Sequence, residues 1–196
     1  MYVRDAKNRD EVWLLDNIEA MGLDDIAFRS RDYVVAVDEE TDERAGFGRL
    51  RVHKGEDGEV VELTCVGVPE EWRGQGVGAH VVERLVETAG DEGFETVYVL
   101  TDEPGYLAQF GFEVVATETL PPVLQDRLEE EQEVLGEDAV GTAIDVDEFE
   151  MPSRFRERFK RAAAEPTDDA AAEPEERPED FGIDPDEATY KYDTGR

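Results

Sequence analysis

Apolar residues at Val77, Val81, Val82, Leu85, Val86 and Ala89 recur at the spacing of one helix face, the clearest periodicity in the chain. The helix it predicts starts near residue 77 and ends near Gly90 or Gly93. Elsewhere the apolar runs are short. Residues 2–6, 33–37, 45–53, 59–68, 96–100 and 112–116 each read as a strand, and 142–146 as a candidate last one. Gly55-Glu56-Asp57-Gly58, between the third and fourth runs, is a hairpin signal. Asn8-Arg9-Asp10 offers capping chemistry for a first helix through Val12, Leu15, Ile18 and Met21, stopped near Gly22. Asp24-Asp25 opens a second short helical stretch, and residues 106–110 form another.

The junction between the fourth strand and the long helix carries the chemistry. It reads Val66-Gly67-Val68-Pro69-Glu70-Glu71-Trp72-Arg73-Gly74-Gln75-Gly76-Val77-Gly78. Gly74, Gly76 and Gly78 remove the side chains that would hold a ligand off the backbone. Loop amides and the positive end of the helix then converge on one point, which suits phosphate oxygens. No Gly-Lys-Ser/Thr follows, so this is not a nucleotide P-loop, and the spacing is not that of the dinucleotide fingerprint. Arg73-x-x-Gly76-x-Gly78 after Val-x-Val-Pro resembles the acetyl-CoA signature of the GNAT superfamily of N-acetyltransferases. The element order β-α-α-β-β-β-α-β-α-β is similar to that superfamily's over residues 2–116, with weaker support to 149. The resemblance implies an α+β fold, with a mixed, mostly antiparallel sheet flanked by helices.

The same resemblance implies acetyl transfer from acetyl-CoA to a primary amine. The backbone of Val66 and Val68 would pair with the pantetheine arm. Gly74, Gln75, Gly76, Val77 and Gly78 would hold the diphosphate, and Arg73 would either add a charged contact or shape the turn. A base must take a proton from the amine. Glu62 lies an even six residues before Val68, so an ideal strand puts both on one face, among Val60, Val61 and Leu63. A carboxylate in such surroundings suits a general base, and superfamily members use a strand glutamate this way. For the acid, many members place a tyrosine four residues before the Gly-Phe that ends the penultimate helix. Here Gly111-Phe112 is present but position 107 is Leu, and Tyr106 stands one residue earlier. That shift turns a helical side chain by roughly 100°. Tyr106 therefore either acts as the acid from an irregular start at Pro104-Gly105 or packs.

The acceptor is a small-molecule amine or amino acid on this reading. Glu62-x-x-Cys65 and Leu120-Pro121 after Gly111-Phe112 look like amino-acid N-acetyltransferases of the N-acetylglutamate synthase kind. Arg29, Arg31, Arg49 and Arg51 fall on segments bordering the expected cleft, although surface ion pairing is the blander account. The competing classes are a non-catalytic acyl-CoA binding or regulatory module, favoured by the displaced tyrosine, and a protein lysine or N-terminal acetyltransferase. Superfamily members that dimerise through sheet edges leave a homodimer open.

Charge narrows the partners. The chain of 196 residues has 52 acidic against 20 basic residues, a net charge of −32. Nucleic acid and anionic membranes are repelled. Lysine is confined to Lys7, Lys54, Lys160 and Lys191, and the acid is spread rather than patched. Such a surface resembles proteins adapted to a salt-rich cytoplasm, the halophilic pattern. Cys65 is the single cysteine and lies in an apolar strand. His53 and His80 stand apart and read as surface residues, so no metal is expected. No apolar run of membrane-spanning length occurs, and Met1-Tyr2-Val3-Arg4-Asp5 is unlike a signal peptide, which gives a cytoplasmic expectation. The expected organisation is a catalytic domain over 1–149, a basic helical extension over 150–161, and an acidic, disordered tail over 162–196 rich in Ala, Glu, Asp and Pro.

Overall fold

Seven strands form one sheet in the order β1-β2-β3-β4-β5-β7-β6. They are β1 (Tyr2–Asp5), β2 (Tyr33–Val37), β3 (Arg44–Gly55), β4 (Gly58–Gly67), β5 (Thr96–Thr101), β6 (Glu113–Val115) and β7 (Val140–Asp145). Among the described residues, β4 and β5 run parallel and every other neighbouring pair is antiparallel. The crossover between the parallel strands is α2 (Val77–Asp91), whose predicted apolar face is buried against the sheet. The computed structural model describes residues 1–23, 26–55 and 58–163. The turn at 56–57, the proposed helix start at Asp24-Asp25 and the tail over 164–196 lie outside the described residues. After residue 25 the chain makes turns and a short 3-10 segment, Ser30–Asp32, before β2.

The other helices fix where a cleft can form. On the face of the sheet away from α2, α1 (Glu11–Ala20) covers Tyr33, Val35, Val37, Phe47 and Cys65. Its buried side chains are Leu14 and Ile18, while Val12 and Leu15 are exposed, so the helix is turned about one residue from the expected face. Asp10 is wholly buried and binds Arg4 and Arg44 instead of capping α1 with its side chain. The same sheet face is covered further along by α4 (Pro122–Leu135), which sequence reasoning missed. Leu120, Leu124 and Leu128 pack there with Val60, Tyr98 and Leu100. The short α3 (Pro104–Leu107) and α5 (Ser153–Lys160) complete the set.

Candidate active site

The ladder between β4 and β5 holds just two pairs, Val61↔Val97 and Glu62↔Tyr98. Beyond them β4 keeps pairing with β3 but leaves its other edge without ladder partners. The cause is local. Arg49 faces Thr64 and Phe47 faces Gly67, so Cys65 and Val66 together oppose Gly48. Cys65 is the bulged residue, at φ 51°, a left-handed conformation uncommon for a side chain with a Cβ.

That bulge corrects the expected parity. Val61, Leu63, Val66 and Val68 face α2, whereas Val60 and Cys65 join the opposite side. Glu62 also faces the opposite side, so it does not share a face with Val68. Its side chain is 2% exposed, with Oε2 2.7 Å from His53 Nε2 and Oε1 3.5 Å from Nη2 of Arg127 on α4. Arg127 also bonds Glu131 at 2.7 Å, so the guanidinium ties α4 to the buried carboxylate. His53 is thus a buried partner of Glu62 and not a surface residue.

A cavity of about 680 Å³ opens beside this trio, walled in part by Arg29, Arg31, Arg49, Arg51, His53 and Lys54, with Asp5, Asp32 and Glu92 among its acids. Arg49, Arg51 and His53 alternate along β3 and share a face with Glu62 and Thr64, their cross-strand neighbours or diagonals. Arg49 is 3% exposed, which removes the surface-pair account for it. Its guanidinium donates to the Ile26 and Ala27 carbonyls and lies over the Tyr33 ring.

On the α2 side, buried Trp72 anchors the loop, and Arg73 Nε donates to the Val68 carbonyl at 3.0 Å. Arg73 therefore shapes the turn. Gly74 and Gly76 have φ of 72° and 81°, a region costly for any residue with a Cβ. The His80 amide is the first to bond back, to the Gly76 carbonyl at 3.2 Å, so the amides of Val77, Gly78 and Ala79 have no acceptor within the helix. The Tyr106 hydroxyl lies 3.2 Å from where a Gly78 Cβ would stand, and its ring meets Phe110 edge-on. Burial pushes the Tyr106 phenol up to about 12. His80, expected on the surface, is half-buried and stacked on Phe159 of α5 with ring centroids 3.8 Å apart. Among the described residues no group of three His, Cys, Asp or Glu could hold a metal ion, and no helix is long and apolar enough to cross a membrane.

The sequence profile of the Acetyltransferase (GNAT) family matches residues 3–112. The chain belongs to the GNAT acetyltransferase family. Solved structures share this acyltransferase fold at low identity. N-acetylglutamate synthase from Neisseria gonorrhoeae, complexed with coenzyme A and N-acetyl-glutamate, superposes with a TM-score of 0.60 at 15% identity, over 74% of this chain. The chain spans 34% of that enzyme's length. Rv2747 from Mycobacterium tuberculosis, solved with CoA, gives a TM-score of 0.59 at 19% identity, over 74% of this chain and 99% of its own. Naa50 of Arabidopsis thaliana, in complex with the bisubstrate analogue CoA-Ac-MVNAL, gives 0.52 at 14% identity, over 73% and 97%. What the family pattern did not supply is the α4 arginine and the β3 histidine that hold Glu62. Leucines at 120, 124 and 128 were the available signal for α4.

Proposed function

We propose that this GNAT protein moves an acetyl group from acetyl-CoA to the amine of a small acceptor that carries a carboxylate, an amino acid being the simplest. The observation that carries the reading is the arginine-walled cavity beside buried Glu62, with Glu62's partner His53 in its wall. Guanidinium groups are suited to bidentate capture of a carboxylate. The N-acetyl-glutamate in the Neisseria enzyme supports the same acceptor class.

Bound acetyl-CoA would supply an acetyl thioester, whose carbonyl carbon the acceptor nitrogen attacks while the sulfur leaves. The residues present fit such a ligand: the edge of β4 without ladder partners at Val66, the backbone that continues from it to Val68, and the loop and first-turn amides from Gly74 through Gln75, Gly76 and Val77 to Gly78. Glu62, fixed by His53 and Arg127, would accept the proton lost by the ammonium, with His53 as the link to the cavity. Tyr106, whose hydroxyl stands beside Gly78 of the loop, would donate a proton to the departing thiolate.

A thiol-release assay with acetyl-CoA across a panel of amines, in high KCl, tests the proposal. Amino acids should be acetylated. Glu62→Gln should lower kcat by about 100-fold or more while coenzyme A affinity is kept. Acetylation of peptides alone would overturn the acceptor class, and coenzyme A binding with no acetylation in the panel would overturn the enzymatic reading.

A further inference from the structure

We infer that α5, which lies beyond the family-matched residues, is a cationic clamp on the phosphates of coenzyme A; the inference rests on the acetyl-CoA reading above. The helix is held against the glycine-rich loop. Phe155 and Phe159 are each 8% exposed, and Phe159 stacks on His80. A Cβ on Gly76 would stand 2.6 Å from the Phe155 carbonyl oxygen, so only glycine lets α5 come this close. The Gln75 side chain donates to the Ala163 carbonyl and accepts from the Ala163 amide, both at 2.9 Å. Arg156 pairs with Glu83 of α2 at 2.6 Å.

Seated in this way, α5 brings Arg158 and Arg161 to the loop mouth. Together with Gly74, Gln75 and Glu157 they line a cavity of about 250 Å³. Arg158 Nη1 reaches the Gly74 carbonyl at 3.4 Å. A Cβ on Gly74 would meet nothing within 4 Å, so the loop backbone is open on that side. Coenzyme A is polyanionic, and this chain carries a net charge of −32. The loop itself carries one basic residue, Arg73, whose Nε donates to the Val68 carbonyl, and Glu70 and Glu71 precede it. Residues 153–161 hold five of the 20 lysines and arginines against one acid, Glu157. A local reversal of charge at a phosphate loop, in a protein of strongly negative net charge, is what capture of this ligand requires.

Calorimetric titration of the full chain with coenzyme A and with 3′-dephospho-coenzyme A tests the clamp. Arg158 on α5 and Arg161 just after it are both exposed, so Arg158→Ala with Arg161→Ala should leave the thermal transition in place, which circular dichroism checks. The double variant should bind coenzyme A at least about tenfold more weakly than wild type. Loss confined to coenzyme A assigns the arginines to the 3′-phosphate, and equal loss with both ligands assigns them to the diphosphate. Unchanged affinity overturns the clamp, and tighter binding overturns it in favour of α5 as an obstruction. Wild-type protein that binds neither ligand defeats the acetyl-CoA reading itself and the clamp with it.

Discussion

Asp10 is the residue on which the N-terminal junction turns. It is wholly buried, 2.7 Å from Arg4, 2.8 Å from Arg44 and 2.8 Å from the Lys7 amide. Burial by itself would raise its pKa, but these donors outweigh burial and hold the carboxyl well below the usual range. A carboxylate depressed in the folded state stabilises fully above its unfolded pKa of about 3.9, and that stabilisation fades as pH falls below it. Asp10→Asn should therefore cost roughly 3 kcal/mol at pH 7. The gap from wild type should stay constant down to about pH 5 and close at lower pH, as urea unfolding at fixed KCl can measure. An Asp10→Asn gap that ignores pH would mean packing, not charge, sets the cost. Single residues were unevenly legible in the sequence. Glu62, Gly76 and Gly78 were singled out by their spacing read together with the family resemblance. The face Glu62 uses was not, because alternation assumes an unbroken strand and the Cys65 bulge inserts a residue. His53 was missed for a related reason: its partner lies nine residues away across a hairpin, and no local pattern reports that contact.

Elements were legible where one face is apolar and the other is not. The α2 periodicity placed its helix within a residue, whereas α4 was hidden by its acids, Glu129, Glu130 and Glu131, in spite of three leucines at helical spacing. In α1 both Val12 and Leu14 are apolar, so the stripe alone admitted two rotations, and docking against Phe47 and Tyr33 chose the one with Leu14 inside. The α5 helix makes the element-scale prediction. Burial under Phe159 lowers the His80 pKa, while the Gly76 carbonyl and Glu83 act to raise it and Arg156 to lower it. A histidine depressed in the fold favours docking above its unfolded pKa of about 6.5, and the benefit is lost as pH falls toward the folded value. Hydrogen exchange across α5, corrected for intrinsic rates, should thus accelerate between pH 7.5 and 5.5, and His80→Phe should abolish the acceleration. Exchange protection independent of pH in wild type would separate α5 docking from His80 titration.

At the scale of the molecule, composition gave the charge but not its placement. The cations are few, yet Arg29, Arg31, Arg49, Arg51 and Lys54 gather on one cavity and five more lie over residues 153–161, which leaves the rest of the surface overwhelmingly acidic. That surface repels itself, and the folded state bears the cost because it brings the charges closer than the unfolded chain does. Salt should relieve it. The Debye length shrinks from about 10 Å at 0.1 M to about 3 Å at 1 M, so most of the screening is complete by about 1 M. The melting temperature should rise by on the order of 10 °C from 0.1 to 1 M KCl and more slowly above it. Sucrose at matched osmolality strengthens burial without screening, so it separates the two causes. If sucrose reproduced the KCl curve, or if the melting temperature stayed level through 1 M KCl, self-repulsion would not be what salt relieves. The surface would then have to be explained by a basic partner instead, against the dispersal of its acids over strands, turns and helix faces alike.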